Sequence, residues 1–397
     1  MATDNAGRRT GLLIGMLLLA ANLRPAITGV GPLIDAITAG TRLPAVLAGL
    51  VTAVPLIAFG LFSPLAPMLA RRMGLERVLY TGLILLLIGT LIRSLPSAPL
   101  LLIGMFFVGT GIAVANVLLP SLVKRDFPSR IGFVTGLYVT VMNVFAGLAS
   151  GVSVPLAGDF HLGWQGALAV WSMLTVLALI WWLPFLRARH TVEVAPREPL
   201  WRSWLAWQLT FFMGLQSFLF YVSIAWLPSL LHSRGFSLST AGWLVSIMQL
   251  VGLPATFVVP ILAGRQHRQP ALVIGVSLTF FLGFLGLLTT HTLWTTVLCM
   301  VLLGLGMGAS ISLALAFFAL RTRHHHTAGA VSGMAQSIGY FLAAVGPFTV
   351  GYMYHLSHAW NGPLVLLIAV VLIMTVFGLG AARNRYIEDD VGALMRG

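Results

Sequence analysis

Asn22-Leu23-Arg24-Pro25-Ala26-Ile27-Thr28-Gly29-Val30-Gly31-Pro32 places a guanidinium inside an apolar run that extends from Gly11 to about Ala39. A run of that length crosses a bilayer as a helix, so the stretch reads as part of a first membrane span. At 1.5 Å per residue Arg24 lies roughly 20 Å from the start of the run, near the bilayer midplane, where an unsolvated charge costs several kcal/mol. It must therefore face protein or water. Pro25 and Pro32, with Gly29 and Gly31 between them, loosen the backbone hydrogen bonding just beyond the arginine, as broken helices around membrane-embedded sites do. The same residues also permit close helix packing.

Working outward, the 397 residues are 58% hydrophobic and 8% charged, with a mean hydropathy of +0.95. Soluble domains carry about 25% charged residues, so the chain reads as a polytopic membrane protein. Its net charge of +13 does not mark a nucleic-acid binder, because the basic residues form short clusters between apolar spans and no patch with interleaved aromatics. The excess of positive charge on cytoplasmic loops accounts for them. Cys299 is the single cysteine, which excludes an intrachain disulfide. Arg8 and Arg9 resemble the start of a signal peptide, but the run after them is too long and lacks a small-residue cleavage site, so it is read as a retained helix.

Runs of about 20 apolar residues bounded by charges, prolines or polar clusters predict twelve spans. They fall near 11–38, 45–70, 78–95, 99–122, 131–154, 165–186, 205–231, 240–263, 270–289, 294–319, 328–353 and 363–382. With an even number of spans both termini share a side, and 19 of the 23 Lys and Arg residues lie on it. Only Arg24, Arg42, Arg93 and Arg234 do not, so both termini are expected to be cytoplasmic. The polar interval from Arg187 to Arg202 separates six spans from six. The halves repeat weakly: a shift of 193 residues lays Ala48-Gly49, Pro67 and Arg72 on Ala241-Gly242, Pro260 and Arg265, and a shift of 197 lays Thr135-Gly136 on Ser332-Gly333 and Asn143 on Tyr340. The expected fold is an all-α membrane protein of twelve transmembrane helices in two six-helix bundles, 1–186 and 205–397, joined by a cytoplasmic linker 187–204.

Polar intramembrane residues sort the spans. Spans three, six, nine and twelve carry hydroxyls such as Thr81, Ser172, Thr279 and Thr375, which can bond back to their own helix, and they are free to face lipid. Arg24, Asn116, Asn143, Gln216, Gln249 and Gln336 lie in spans one, four, five, seven, eight and eleven. Unpaired carboxamides are expensive in hydrocarbon, so these six helices surround a polar cavity or bond to one another. No Asp or Glu lies at mid-membrane in any span. Arg24 then either bonds helix-terminal carbonyls and neighbouring amides or meets an anionic or electron-rich substrate, and the second reading is favoured. Asp35 returns to within about 20° of the same helical face, roughly 16 Å nearer the periplasm. There, with Arg42 and Arg93 as partners, it reads as half of a gate ion pair, as a simple interfacial carboxylate, or as a proton carrier. Tyr221 and Trp226 in span seven and Tyr340 in span eleven are placed to stack on a flat substrate, or to serve as packing or interfacial aromatics.

Two other features carry no chemistry. His324-His325-His326 lacks a second ligand cluster, so no metal is assigned. Gly304-Leu305-Gly306-Met307-Gly308 lies mid-span without a lysine, which makes it a packing or bending element and no phosphate loop. No Ser-His-Asp or Cys-His set can be assembled. The chain is read as a non-enzyme with neither catalytic residues nor cofactor.

Arg72-Met73-Gly74-Leu75-Glu76-Arg77 resembles the loop motif of the major facilitator superfamily, with Arg71 where that motif usually has an acid. Leu23-Arg24-Pro25 with Thr28-Gly29 and Gly31-Pro32-Leu33, Leu119-Pro120-Ser121-Leu122-Val123-Lys124-Arg125-Asp126-Phe127, Ala225-Trp226-Leu227-Pro228 and Met334-Ala335-Gln336-Ser337-Ile338-Gly339-Tyr340 resemble the cyanate porter family within it. The likeness spans essentially the whole chain and is closer to the nitroimidazole-carrying branch. It implies an alternating-access carrier, without ATPase, for a small polar or anionic solute. On this reading the chain works as a monomer in a bacterial inner membrane, its partners being the solute, the bilayer and a coupling proton. An exporter of drug-like or azole compounds driven by protons, with Arg24 as a structural hub, is the alternative.

Overall fold

The computed structural model describes residues 2–43, 45–187, 200–289 and 292–394, without the side chains of 2–6, 35, 45–49, 52, 187, 238–239 and 391–394. Every regular element among them is helical. Eleven helical stretches are long and apolar enough to cross a membrane, and a bent pair brings the number to twelve if it is counted as one span. The pair is the second predicted span. α4 (Ala45–Phe62) and α5 (Leu65–Met73) meet at 53°, where Pro64 has no N–H to continue the ladder. Hydropathy predicted an apolar run there and was blind to its change of direction.

The chain divides into two compact units, Met1–Phe127 with Leu137–Pro196, and Pro128–Gly136 with Arg197–Gly397. Most of the expected linker, 188–199, lies outside the described residues. The first span is interrupted as its prolines and glycines require. α1 (Ala2–Leu23) stops before Arg24, α2 (Pro25–Thr28) makes one turn, a 3₁₀ turn covers Gly31–Leu33, and α3 (Ile34–Thr41) resumes. The resumed part packs into a core of Val30, Leu33, Ile37, Leu101, Met105 and Trp164. α6 (Leu75–Arg93) and α7 (Ala98–Asp126) run side by side, tied at one end by Arg125 Nη2 to Glu76 Oε1 at 2.5 Å, with Asp126 Oδ2 2.8 Å from the same nitrogen. α8 (Ile131–Ala157), α9 (Gly163–Ala169) and α10 (Trp171–Trp182) follow, and the first turns of α8 group with the second unit.

The second unit consists mainly of α11 (Trp204–Ser233), α12 (Leu238–Arg265), α13 (Pro270–Thr289), α14 (Leu293–Leu320), α15 (His325–Ser357), α16 (Asn361–Ala381) and α17 (Ile387–Leu394). Its counterpart of the Arg125–Glu76 tie is Arg321, whose Nη2 donates to Gln269 Oε1. Arg321 lies 196 residues after Arg125, and Gln269 lies 193 after Glu76. These offsets fall within the 193 to 197 of the weak repeat in the sequence, and in each unit one arginine at the end of a span is held by the start of the span before it. Arg321 also donates to the carbonyls of Ala381 (2.7 Å) and Ala382 (3.1 Å), and burial lowers its pKa to about 10, so it remains charged at neutral pH.

Short α17 acts as a brace. Its Asp390 Oδ2 accepts from Ser203 Oγ (3.0 Å) and Leu205 N (3.1 Å), capping α11. Glu388 Oε1 accepts from the backbone N–H groups of Arg323 (2.8 Å) and His324 (3.1 Å), capping α15. Carboxylates at these positions satisfy orphan amides and suit the positive end of each helix dipole.

Burial ranks the helices. In the spans formed by α7, α11 and α14, 67% of the most apolar stretch is buried, and 61% in the first span, against 28% in the span that contains α9 and α10 and 33% in that of α12. Of the six amide- or arginine-bearing spans, only the first, fourth and seventh are thus central to their units. The tenth is equally central without an amide. Lipid and packed protein are both apolar, so composition alone does not separate them.

Candidate functional site

The chemistry of the first unit gathers at the interruption of its first span. Arg24 is half-buried and occupies the N-cap of α2, with φ −102° and ψ −39°. Its carbonyl accepts from the N–H of Ile27 and of Thr28, both at 2.9 Å, and from Thr28 Oγ1 at 3.1 Å. Beyond it the ladder fails in two places, and side chains from other helices fill both. Pro32 has no N–H for the Thr28 carbonyl, which accepts from Ser150 Oγ of α8 at 3.2 Å, while Thr28 Oγ1 reaches Ala146 O at 3.0 Å. Val30 N–H turns to Ile27 O at 3.2 Å, and the Ala26 carbonyl accepts from Arg93 Nη1 of α6. On the other side of Arg24, Asn22 is buried, donates to Leu18 O (2.8 Å) and Leu174 O (3.3 Å), and receives the Thr175 hydroxyl at 2.7 Å. The backbone carrying Arg24 is therefore held by three neighbouring helices, which satisfies polar groups that hydrocarbon would leave unpaired.

In the second unit α11 and α15 pack backbone against backbone at Gly214 and Gly339, where a Cβ on either glycine would lie 3.0–3.1 Å from the other's Cα. Tyr221 and Tyr340 meet near this crossing with ring centroids 6.5 Å apart at 65°. Gln216 is buried, its Nε2 donating to Ser217 Oγ at 2.7 Å, and Ser310 of α14 points its hydroxyl at Gln216 Oε1 from 3.5 Å. Gln336, also buried, donates to Ser332 Oγ at 2.9 Å. Gln216 and Ser310 thus link α11 to α14, and the two phenol rings link α11 to α15.

Several expected residues stand elsewhere. Arg93 is fully buried, and its Nη1 donates to the Ala26 carbonyl of span one. Trp226 is a packing aromatic, its indole N–H bonded to Pro347 O at 2.8 Å and its ring against Gly351 and Trp360. Gln249 is exposed on α12. Asn116 and Asn143 are half-buried on α7 and α8. Asp35 lies on α3, but its side chain is outside the described residues. The hydroxyls of Thr81, Thr279 and Thr375 bond their own helices, to Arg77 O, Val276 O and Val371 O. Ser150, Asn22, Thr175 and Ser310 were given no role from the sequence. Pro32 hinted at Ser150, since its missing N–H leaves the Thr28 carbonyl for a hydroxyl to satisfy.

A chain that buries guanidinium, carboxamide and hydroxyl groups within two units of membrane-spanning helices has the makings of a polytopic solute carrier. Residues 16–347 and 209–390 match the profile described as Major Facilitator Superfamily, and the chain belongs to that family. It is 48% identical over 381 residues to the uncharacterized transporter YycB of Bacillus subtilis (strain 168), covering 95% of this chain and 94% of the relative. It is 41% identical over 396 residues to the 2-nitroimidazole transporter of Escherichia coli (strain K12), covering 98% and 99%. The cyanate transport protein CynX of the same strain is 28% identical over 355 residues, covering 87% and 90%. Among solved structures, the proton:xylose symporter XylE bound to 6-bromo-6-deoxy-D-glucose matches with a TM-score of 0.78 at 14% identity, over 98% of this chain and 99% of that one. That likeness concerns the fold. The family and these relatives are transporters, so the chain is a multi-pass membrane transporter of small solutes and not an enzyme.

Proposed function

We propose that this transporter carries a small anionic or nitro-bearing polar solute, of the cyanate or 2-nitroimidazole kind, across the bacterial inner membrane by alternating access. Arg24 carries the reading: a guanidinium half-buried at a backbone interruption that other helices hold in place. An anion or a nitro oxygen suits its planar donor fork. Asn116 and Asn143 in the first unit, and Gln216, Gln249, Gln336, Tyr221 and Tyr340 in the second, would orient the rest of the solute. The relatives that carry 2-nitroimidazole and cyanate support this solute class. In the same reading the bundles 1–186 and 205–397 move as the two halves, both termini are cytoplasmic, the carrier is a monomer, and Asp35 serves gating or proton coupling with Arg93 acting on the same span.

Counterflow in proteoliposomes tests the proposal, with cyanate, nitrate, nitrite, small carboxylates and nitroimidazoles as exchange partners. Exchange of cyanate or 2-nitroimidazole by the wild-type carrier, with half-saturation raised roughly 30-fold to 1,000-fold by Arg24→Gln, is the expected result. Exchange confined to cationic drug-like compounds, unaffected by Arg24→Gln, would overturn it.

A further inference from the structure

The side chain of Arg93 is fully buried in the first unit, yet only part of its donor set is used. Nη1 donates to the Ala26 carbonyl and stands 3.5 Å from Met105 Sδ, while Nε and Nη2 are buried with no hydrogen-bond partner among the described residues. A buried guanidinium with unmade hydrogen bonds is costly, so it is a poor device for stability alone. What it does hold is specific. Ala26 is two residues past Arg24, and its carbonyl is the one released when Val30 N–H turns to Ile27 O. The backbone of Arg93 is in turn fixed by Gly104 of α7, where a Cβ would lie 2.5 Å from Arg93 N and 2.6 Å from Arg93 Cβ.

We infer that Arg93 is a positioning residue for Arg24: by holding the Ala26 carbonyl it sets the direction in which the interrupted span presents the Arg24 guanidinium. The inference rests on the proposed role of Arg24 as the residue that meets the solute. The charge of Arg93 is then secondary to its reach and its donor. A lysine keeps one donor on a long stem and preserves most of the effect, whereas a methionine keeps the stem and releases the carbonyl.

The test measures half-saturation for cyanate and for 2-nitroimidazole in purified, reconstituted full-length carrier. The variants are Arg93→Met, Arg93→Lys, Gly104→Ala, Arg24→Gln and the double variants of Arg24→Gln with each of Arg93→Met and Gly104→Ala. Arg93→Met should weaken the response to the bound probe at least 10-fold and Arg93→Lys by less than about 3-fold, with Gly104→Ala between them because it displaces Arg93 without replacing it. In the Arg24→Gln background neither Arg93→Met nor Gly104→Ala should weaken it further. A general loss of folded carrier does not produce that pattern, and Gly104→Ala keeps the test alive if Arg93→Met does not fold. Penalties that multiply in the double variants, or wild-type half-saturation in both Arg93→Met and Gly104→Ala, overturn the inference while leaving the Arg24 reading in place. Wild-type binding in Arg24→Gln itself overturns both.

Discussion

A guanidinium selects an anion by geometry as well as charge, so Arg24 can be questioned by changing each separately. Arg24→Lys keeps the charge and loses the fork. It should weaken solute binding less than Arg24→Gln, which should cost on the order of 2 to 4 kcal/mol, roughly 30-fold to 1,000-fold in affinity, measured by titration of the reconstituted carrier. Its neighbour Asn22 has a different duty. Thr175→Val deprives the buried Asn22 Oδ1 of the hydroxyl that now donates to it, and should lower thermal stability by about 1 to 2 kcal/mol with affinity unchanged. Equal loss of affinity in both variants would show that Asn22 touches the solute. Arg24 was legible in the sequence because a charge inside an apolar run has few innocent explanations. The bond from Arg93 to the Ala26 carbonyl was not legible, because nothing in the local sequence tells which way an arginine at the end of a span turns. Asn22 and Thr175 were silent for a related reason, since their pairing crosses 153 residues.

At the level of helices the prolines were the readable signal. Pro25 and Pro32 broke span one where expected, and Pro64 bent span two, which hydropathy had joined into one straight run. The crossing of α11 on α15 was less readable, although it brings Tyr221 to Tyr340. Gly339→Val would press a branched side chain onto Gly214, whose Cα a bare Cβ already meets at 3.1 Å. It should cost on the order of 1 to 3 kcal/mol in thermal stability and weaken solute binding by moving the two rings apart. Gly275→Val on α13, where a Cβ meets nothing within 4 Å, is the control and should melt close to wild type. If both glycine variants behave alike, the helix crossing is looser than it looks. The central place of α14 was hidden because the sorting looked for amides. Its small residues, including the run from Gly304 to Gly308, were noted as packing features, and packing is what makes that helix central.

For the chain as one object, the sequence carried the eleven or twelve apolar helices, because each depends on a sum over many residues. It carried less about what each span faces, because neighbouring helices and lipid offer an apolar side chain nearly the same environment. Orientation is open to a direct check. A reporter that fluoresces only in the cytoplasm, fused after residue 397, should light up if both termini are cytoplasmic, and a periplasmic phosphatase fused at the same place should stay inactive. Substituted cysteines extend the check to the pathway: Asn143→Cys should react with a small hydrophilic thiol reagent and be protected by solute, whereas Thr375→Cys should not react. Equal labelling of the two would end the distinction between pathway and lipid-facing spans. The brace formed by α17 has a further consequence, in the timing of synthesis. Asp390 follows the Ser203 hydroxyl it receives by 187 residues, and Glu388 follows the Arg323 amide by 65. At ribosomal speeds α11 therefore waits roughly 10 to 40 s for the carboxylate that closes its first turn. During that interval the rest of the second unit is still being made, and the first turn of α11 is open to water and to proteases. A chain stopped after Tyr386 should reach the membrane with every span in place and then be degraded several-fold faster than the full chain in a pulse-chase, its lifetime decided by residues that never enter the bilayer.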